Sequence, residues 1–310
     1  MVLATYFNMF VAVAMQIPLS ELKLPLSLKW RKASDMPFGM CDYPQAVAIN
    51  RKVYIGGRLT SSSSEGQTVM VYDPQNDTWT TLPQYDCVYF AMAVVNNQVV
   101  LIGGVDVRLR SRTAQLGVWN EQSQTWTNPF LPMPTARCSP SAITYDRWLV
   151  VIGGRLEDVG SKLSDVEILD TTSGQWYCGA PLPQPRSSVS AATIGNICFA
   201  LGGFTTDHLG SKKVFNVCLD NLISQAVSPP NTQPTPSPWL TLPDTPLKYS
   251  TTLTTNGALL AVGGYEHEKE WVSRAIHLYQ PSSRSWVKAG ELLLGRATCA
   301  CITLSSGEIR

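Results

Sequence analysis

Five Gly-Gly pairs in near-regular phase constrain this chain more than any other feature. They stand at Gly56-Gly57, Gly103-Gly104, Gly153-Gly154, Gly202-Gly203 and Gly263-Gly264, and each follows a short apolar run such as Val150-Val151-Ile152. Trp79, Trp126, Trp176 and Trp286 each lie 23 residues after the first glycine of their pair. Tyr72, Trp119, Leu169 and Tyr279 lie 16 after it, so three independent landmarks share one phase. Self-similarity with a pitch near 49 residues is the mark of repeated supersecondary units.

Each unit reads as four short strands. In the third unit they span 140–145, 148–152, 165–170 and 175–178, rich in Val, Ile, Tyr and Trp and separated by turn residues. The first strands carry small side chains, as in Gln45-Ala46-Val47-Ala48 and Ser190-Ala191-Ala192-Thr193, which suits convergence on a crowded axis. One four-stranded sheet cannot bury both of its faces, so the units must pack radially. This predicts an all-β propeller.

The fourth unit departs from the pattern. Gly202 to Trp239 spans 37 residues, and the excess includes Ser228-Pro229-Pro230-Asn231-Thr232-Gln233-Pro234-Thr235-Pro236-Ser237-Pro238. Proline has no backbone donor, so residues 221–238 are expected to form an extended surface insertion, either a spacer or a ligand for a partner's aromatic groove.

The apolar run, the Gly-Gly pair, the aromatic near Tyr72 or Tyr279 and the Trp seven residues later resemble the kelch repeat. The resemblance covers residues 25–310 and implies a kelch-type β-propeller. Six blades are expected. Trp30 has the phase of a fourth-strand Trp, and residues 297–304 that of a sixth first strand, so the sixth blade is incomplete and shared between N- and C-terminal strands. The family serves scaffolds, ubiquitin-ligase adaptors, actin binders and a few enzymes, so the fold alone implies no single role. The missing part of the sixth blade suggests a truncated product, and the 25 or so upstream residues leave no room for an adaptor domain in this chain.

Residues 1–24 form an apolar N-terminal extension. Twelve of the fourteen residues 2–15 are apolar, which fits a signal peptide, an anchor or a strand patching the sixth blade. No Lys or Arg precedes Lys23, so a cytoplasmic, monomeric propeller is the expectation, with secretion the alternative if residues 1–14 are a signal. With 24 basic and 23 acidic side chains, no global field recruits nucleic acid or a membrane surface.

Catalytic signatures are sparse. The three histidines, His208, His267 and His277, are scattered, and Glu266-His267-Glu268 lacks the second histidine of a zinc helix. The copper and iron ligand sets of kelch enzymes find no match, and neither metal nor cofactor is expected. A sugar-acid mutarotase using a few polar groups at the tunnel mouth stays open as the alternative. The eight cysteines contain no Cys-x-x-Cys; Cys299 and Cys301 share one face of an inner strand, while Cys41, Cys87 and Cys138 sit near the starts of first strands.

Binding is the stronger expectation, on the face formed by second-to-third-strand loops and inter-blade connections. The long, varied loops 58–67, 105–115, 155–164, 204–213 and 265–274 all emerge there. Arg137, Arg186 and Arg296 occupy one repeat position leading onto that face. Two readings fit them: they pair with a backbone carbonyl or carboxylate between blades, or they form a rim gripping a carboxylate-bearing peptide. Peptide-binding kelch propellers use arginines, serines and tyrosines in this region, which adds Ser188 by resemblance. Arg108, Arg110 and Arg112 supply a basic rim, opposed by Glu266, Glu268 and Glu270. A peptide or protein with acidic side chains is the expected partner.

Overall fold

The computed structural model describes residues 10–13, 29–37, 41–59, 69–156, 161–228, 236–255, 257–266 and 271–302. Five four-stranded antiparallel sheets follow one another along the chain. Blade 1 is built from Cys41–Ile49, Lys52–Leu59, Met70–Asp73 and Thr78–Thr81. Blade 3 shows the regular form: Ser141–Tyr145, Trp148–Ile152, Val166–Asp170 and Trp176–Gly179, each strand paired with the next. The second strands are buried on both faces, and Leu149, Val150, Val151 and Ile152 have no exposed surface. That explains their unbroken apolar runs, since sheets covered on both sides lose the in–out alternation.

The landmark residues are explained by contacts between blades. The indole N–H of Trp126 donates to the carbonyl of Pro83 (2.8 Å), that of Trp176 to Leu131 (3.0 Å), that of Trp239 to Ala180 (2.9 Å) and that of Trp286 to Pro243 (3.1 Å). Each acceptor follows the preceding blade's Trp by four or five residues, so every fourth strand is stitched to the blade before it. A buried Trp with a polar edge needs such an acceptor.

The glycine pair makes the complementary stitch to the blade after it. Gly153 has φ +61°, and a Cβ there would lie 2.5 Å from the carbonyl oxygen of Arg186. The N–H of Gly154 donates to that same oxygen at 2.8 Å. The contact recurs between Gly103-Gly104 and Arg137, and between Gly263-Gly264 and Arg296. Two glycines are therefore needed side by side: the first for clearance, the second to aim a donor from left-handed backbone.

The sixth sector draws on both ends. Phe10–Val13 pairs with Lys29–Lys32, placing Ala12 opposite Trp30 as Tyr72 stands opposite Trp79 in blade 1. The indole of Trp79 donates to the carbonyl of Ser34, four residues after Trp30, which repeats the inter-blade stitch. The phase read for Trp30 thus holds. The C-terminal contribution differs from expectation: residues 297–302 run as irregular backbone rather than as a strand, with no ladder partner among the described residues.

The insertion in blade 4 also differs. It opens with a helix, Leu219–Val227, rather than extended chain; residues 229–235 lie outside the described residues. Leu219, Leu222 and Ile223 are buried with Leu182, Val217 and Trp239 in one core cluster. Asp220, in the first turn, accepts from Tyr145 Oη (2.8 Å) and Asn196 Nδ2 (2.7 Å), and these bonds hold its carboxyl below the usual range. A carboxylate there also suits the positive end of the helix. The helix emerges on the face of third-to-fourth-strand turns, opposite the long loops.

Candidate functional site

The starts of the first strands converge on one axial funnel of about 170 Å³. Six segments line it, Pro44 to Ala46, Tyr89 to Met92, Ser139 to Ala142, Ser188 to Ala191, Tyr249 to Thr252 and Thr298 to Cys301, together with Gly203 and Phe204. The second-to-third-strand loops and inter-blade connections belong to the same face.

A ring of left-handed residues shapes the funnel. Tyr89, Ser139, Ser188, Tyr249 and Thr298 hold equivalent positions and have φ of 57°, 51°, 51°, 57° and 51°. Non-glycine residues with positive φ are uncommon, and such strain persists only where surrounding structure over-determines it. Here backbone bonds link three neighbouring pairs of ring residues from blade to blade. The N–H of Ser139 donates to the carbonyl of Tyr89 (2.7 Å), that of Ser188 to Ser139 (2.8 Å) and that of Thr298 to Tyr249 (3.1 Å). Register places Pro44 at this position in blade 1, where the pyrrolidine ring forbids positive φ, and the first strand there begins early and bulges.

The wall is rich in hydroxyls. Ser190 Oγ accepts from the backbone N–H of Thr252 (2.8 Å), and Thr252 Oγ1 donates to the carbonyl of Ser190 (3.1 Å). Ser250 Oγ donates to the carbonyl of Gly263 (2.9 Å). One sector is aromatic, with Phe204 and Tyr249 rings 5.1 Å apart and Tyr265 packed edge-on behind Tyr249. Among the described residues, none that lines the funnel carries a carboxylate, imidazole, amine or guanidinium, and the titratable groups in the lining are the thiols of Cys299 and Cys301 and the tyrosines.

The arginines singled out by phase fall into two groups. Arg137 is 0% exposed and cannot belong to a binding rim. Its guanidinium meets Glu167 at 2.7 Å and donates to the carbonyls of Gly153 (3.0 Å) and Asp165 (3.2 Å). Burial pulls its pKa down while Glu167 holds it up, leaving a paired, charged clamp between blades. Arg186, at 4% exposure, is likewise internal. It donates to the carbonyl of Pro185 (3.0 Å), to Ser211 Oγ (3.1 Å) and to Gln184, and among the described residues no carboxylate lies within bonding distance. Register puts Phe215 where Arg137 finds Glu167. For both arginines the inter-blade reading holds and the rim reading fails, because the repeat position lies beneath the surface. Arg296 is half-buried beside Cys299 and Cys301.

The remaining candidates lie at the surface or in the funnel. Ser188 lines the funnel. Arg108 is exposed and pairs with Asp86 (2.7 Å), Arg110 is exposed and Arg112 is half-buried. Glu268 and Glu270 lie outside the described residues, as does His267. Cys87 and Cys138, near the starts of their first strands, are buried, and burial pushes the Cys87 thiol up to about 12.

Sequence reasoning missed the tips of the long loops. Four consecutive loops each expose one large apolar side chain: Leu109 (75%), Leu156 (40%), Leu209 (57%) and Trp271 (74%). No pattern singles these residues out, because each loop carries other apolar side chains such as Val107, Leu163, Phe204 and Val272; the tips stand three to eight residues after the first glycine.

The kelch-repeats family described as "KLHDC2/KLHL20/DRC7 Kelch-repeats domain" matches residues 43–242 and 89–302. The chain is 30% identical over 191 residues to Kelch-like protein terF of Aspergillus terreus, covering 56% of this chain and 40% of that protein. It is 27% identical over 190 residues to Kelch-like protein 41b of Danio rerio, covering 61% and 31%. It thus spans well under half the length of these curated relatives. The solved structure titled "Structure of YjhT" superposes with a TM-score of 0.66 at 15% identity, covering 87% of this chain and 88% of that one. No helix among the described residues is long and apolar enough to cross a membrane. Repeat phase, blade architecture and family match together place this chain in the kelch-repeat β-propeller family.

Proposed function

We propose that the chain is a protein-interaction module that takes a peptide or protein segment on the funnel face. The observation that carries this reading is the set of exposed apolar tips, Leu109, Leu156, Leu209 and Trp271, around a hydroxyl-lined funnel. Exposed apolar side chains carried by successive loops of one face, among polar neighbours, suit an interaction surface. A hydroxyl-rich wall offers adaptable donors and acceptors to a peptide backbone, with Ser188 among them. Arg108 and Arg110 on the rim, with Lys212 nearby in the chain's fourth long loop, favour a partner bearing acidic side chains beside its apolar anchors.

The test compares capture from a native lysate by three proteins: the wild type, the triple variant Leu109→Ser, Leu209→Ser and Trp271→Ser, and the edge-strand control Leu240→Ser. Wild type and control should retain a common set of proteins, read by mass spectrometry, that the triple variant loses. All three should share one thermal midpoint, since exposed substitutions move stability by only about 0.5 kcal/mol each. Identical protein sets from wild type and triple variant would overturn the proposal.

A further inference from the structure

Cys299 and Cys301 face each other in the funnel wall with their sulfurs 4.0 Å apart. Cys87, Cys138 and Cys198 are buried, Cys178 stands exposed, and half-buried Cys218 meets the Asn196 side chain at 3.6 Å. Cys299 and Cys301 are half-buried and line the funnel, which is the route by which a reagent would approach them. We propose that Cys299 and Cys301 form a redox-active dithiol that exchanges with low-molecular-weight disulfides such as oxidised glutathione.

Three features of the site support this. A disulfide needs its sulfurs about 2.05 Å apart, so roughly 2 Å of closure is required. The backbone across 297–302 belongs to no ladder and can supply that movement without breaking sheet hydrogen bonds. The Cys299 sulfur also lies 3.5 Å from Thr251 Oγ1, whose hydroxyl bonds the Cys299 carbonyl and fixes the residue's place in the wall. Finally, the two thiols are unequal. Contact with Cys301 and the nearby Arg296 guanidinium hold the Cys299 thiol below its ordinary range, while the same contact and burial push Cys301 up. The thiolate is the nucleophile in exchange, which assigns the first attack to Cys299.

The exchange balances in two steps. The Cys299 thiolate attacks one sulfur of oxidised glutathione, forming a mixed disulfide and releasing one glutathione thiolate. Cys301, losing its proton, then attacks the Cys299 sulfur, forming the Cys299–Cys301 bond and releasing the second glutathione thiolate. The protein dithiol loses two electrons, one small disulfide becomes two thiols, and the two thiol protons end on the released glutathione. A bond between residues two apart closes a strained ring, which makes it readily reducible and suits reversible exchange.

The experiment equilibrates the full chain with mixtures of reduced and oxidised glutathione, quenches with acid, alkylates and reads the Cys299–Cys301 peptide by mass spectrometry. Wild type should convert this peptide to a form lighter by two hydrogens that resists alkylation, and dithiothreitol should restore it. Cys301→Ser should stop at the glutathione mixed disulfide on residue 299. Cys299→Ser should acquire glutathione at least tenfold more slowly. A peptide that stays dithiol at every mixture, one that pairs with another cysteine, or equal reactivity of the two single variants would overturn the proposal. None of these readouts depends on a partner, so failure here leaves the interaction reading untouched.

Discussion

Removing the Arg137 side chain tests the account of how the blades are clamped. Arg137→Met deletes the guanidinium that meets Glu167 at 2.7 Å and supplies donors to the carbonyls of Gly153 and Asp165. Glu167 is only 3% exposed, so the variant leaves a carboxylate buried with its counter-charge gone. Breaking one side of a buried pair costs about 3–5 kcal/mol. With an unfolding entropy of about 2.1 cal/mol/K per residue, a chain of 310 residues should lose about 5–8 °C in thermal midpoint. The double variant Arg137→Met, Glu167→Leu removes the orphaned charge and should recover most of that loss, short of the two carbonyls left without their donors. Arg186→Met is the internal control. It strips only neutral partners, Pro185, Gln184 and Ser211, and should cost less than Arg137→Met. Urea unfolding of the four proteins at pH 7 and low salt supplies the comparison. If Arg137→Met costs under about 1 kcal/mol, or the double variant is no more stable than the single, the clamp is not electrostatic and the reasoning fails.

Other contacts give equally direct tests. Gly153→Ala forces a Cβ to within 2.5 Å of the Arg186 carbonyl on left-handed backbone, and should cost more than about 3 kcal/mol or abolish soluble expression, whereas the same change at Gly174, which has open space around its Cβ position, should cost about 1 kcal/mol through φ alone. Trp126→Phe keeps most of the apolar contact but loses the indole bond to Pro83; a stability loss of about 1–2 kcal/mol by denaturant titration is expected, and none would argue that the stitch is ornamental. Burial, with Lys288 nearby, depresses the pKa of His277 below 6.5. The unfolded chain therefore binds the extra proton more readily, so this contribution is present above about pH 6.5 and is lost as pH falls below it. Denaturation at pH 7.5 and 5.5 should show a smaller pH-dependent loss in His277→Gln than in wild type, and equal losses would refute the assignment.

The fold was legible because its landmarks make backbone-level contacts that repeat with the chain. Gly-Gly, Trp and the apolar second strand recur since each solves the same inter-blade problem, and Trp30 keeps its phase outside the five four-stranded sheets. The helix Leu219–Val227 escaped notice because the prolines beyond it dominated the reading, while Leu219, Leu222 and Ile223 are spaced to bury one helical face. The arginines show the limit of phase. Periodicity located Arg137 and Arg186 correctly along the chain, yet it cannot distinguish a side chain lying between sheets from one lying above them. That distinction rested on Glu167, which is distant in sequence and lacks a counterpart in blade 4. The loop tips and the left-handed ring were hidden for the opposite reason: Tyr, Ser and Thr alternate at the ring position, so no residue identity repeats there.

The two inter-blade stitches also divide the chain into segments that can change length and segments that cannot. Four or five residues separate each fourth-strand Trp from the carbonyl that receives the next Trp, so this interval varies by no more than one residue from blade to blade. The intervals from glycine pair to third strand, and from third strand to Trp, lie outside both stitches. Blade 4 carries its long insertion in the second of these intervals, and Trp239 still reaches back to Ala180 while Pro243 still receives Trp286. Loops grafted into the funnel rim or in place of the helix should therefore leave the ring intact, which marks this scaffold's two faces as independently editable.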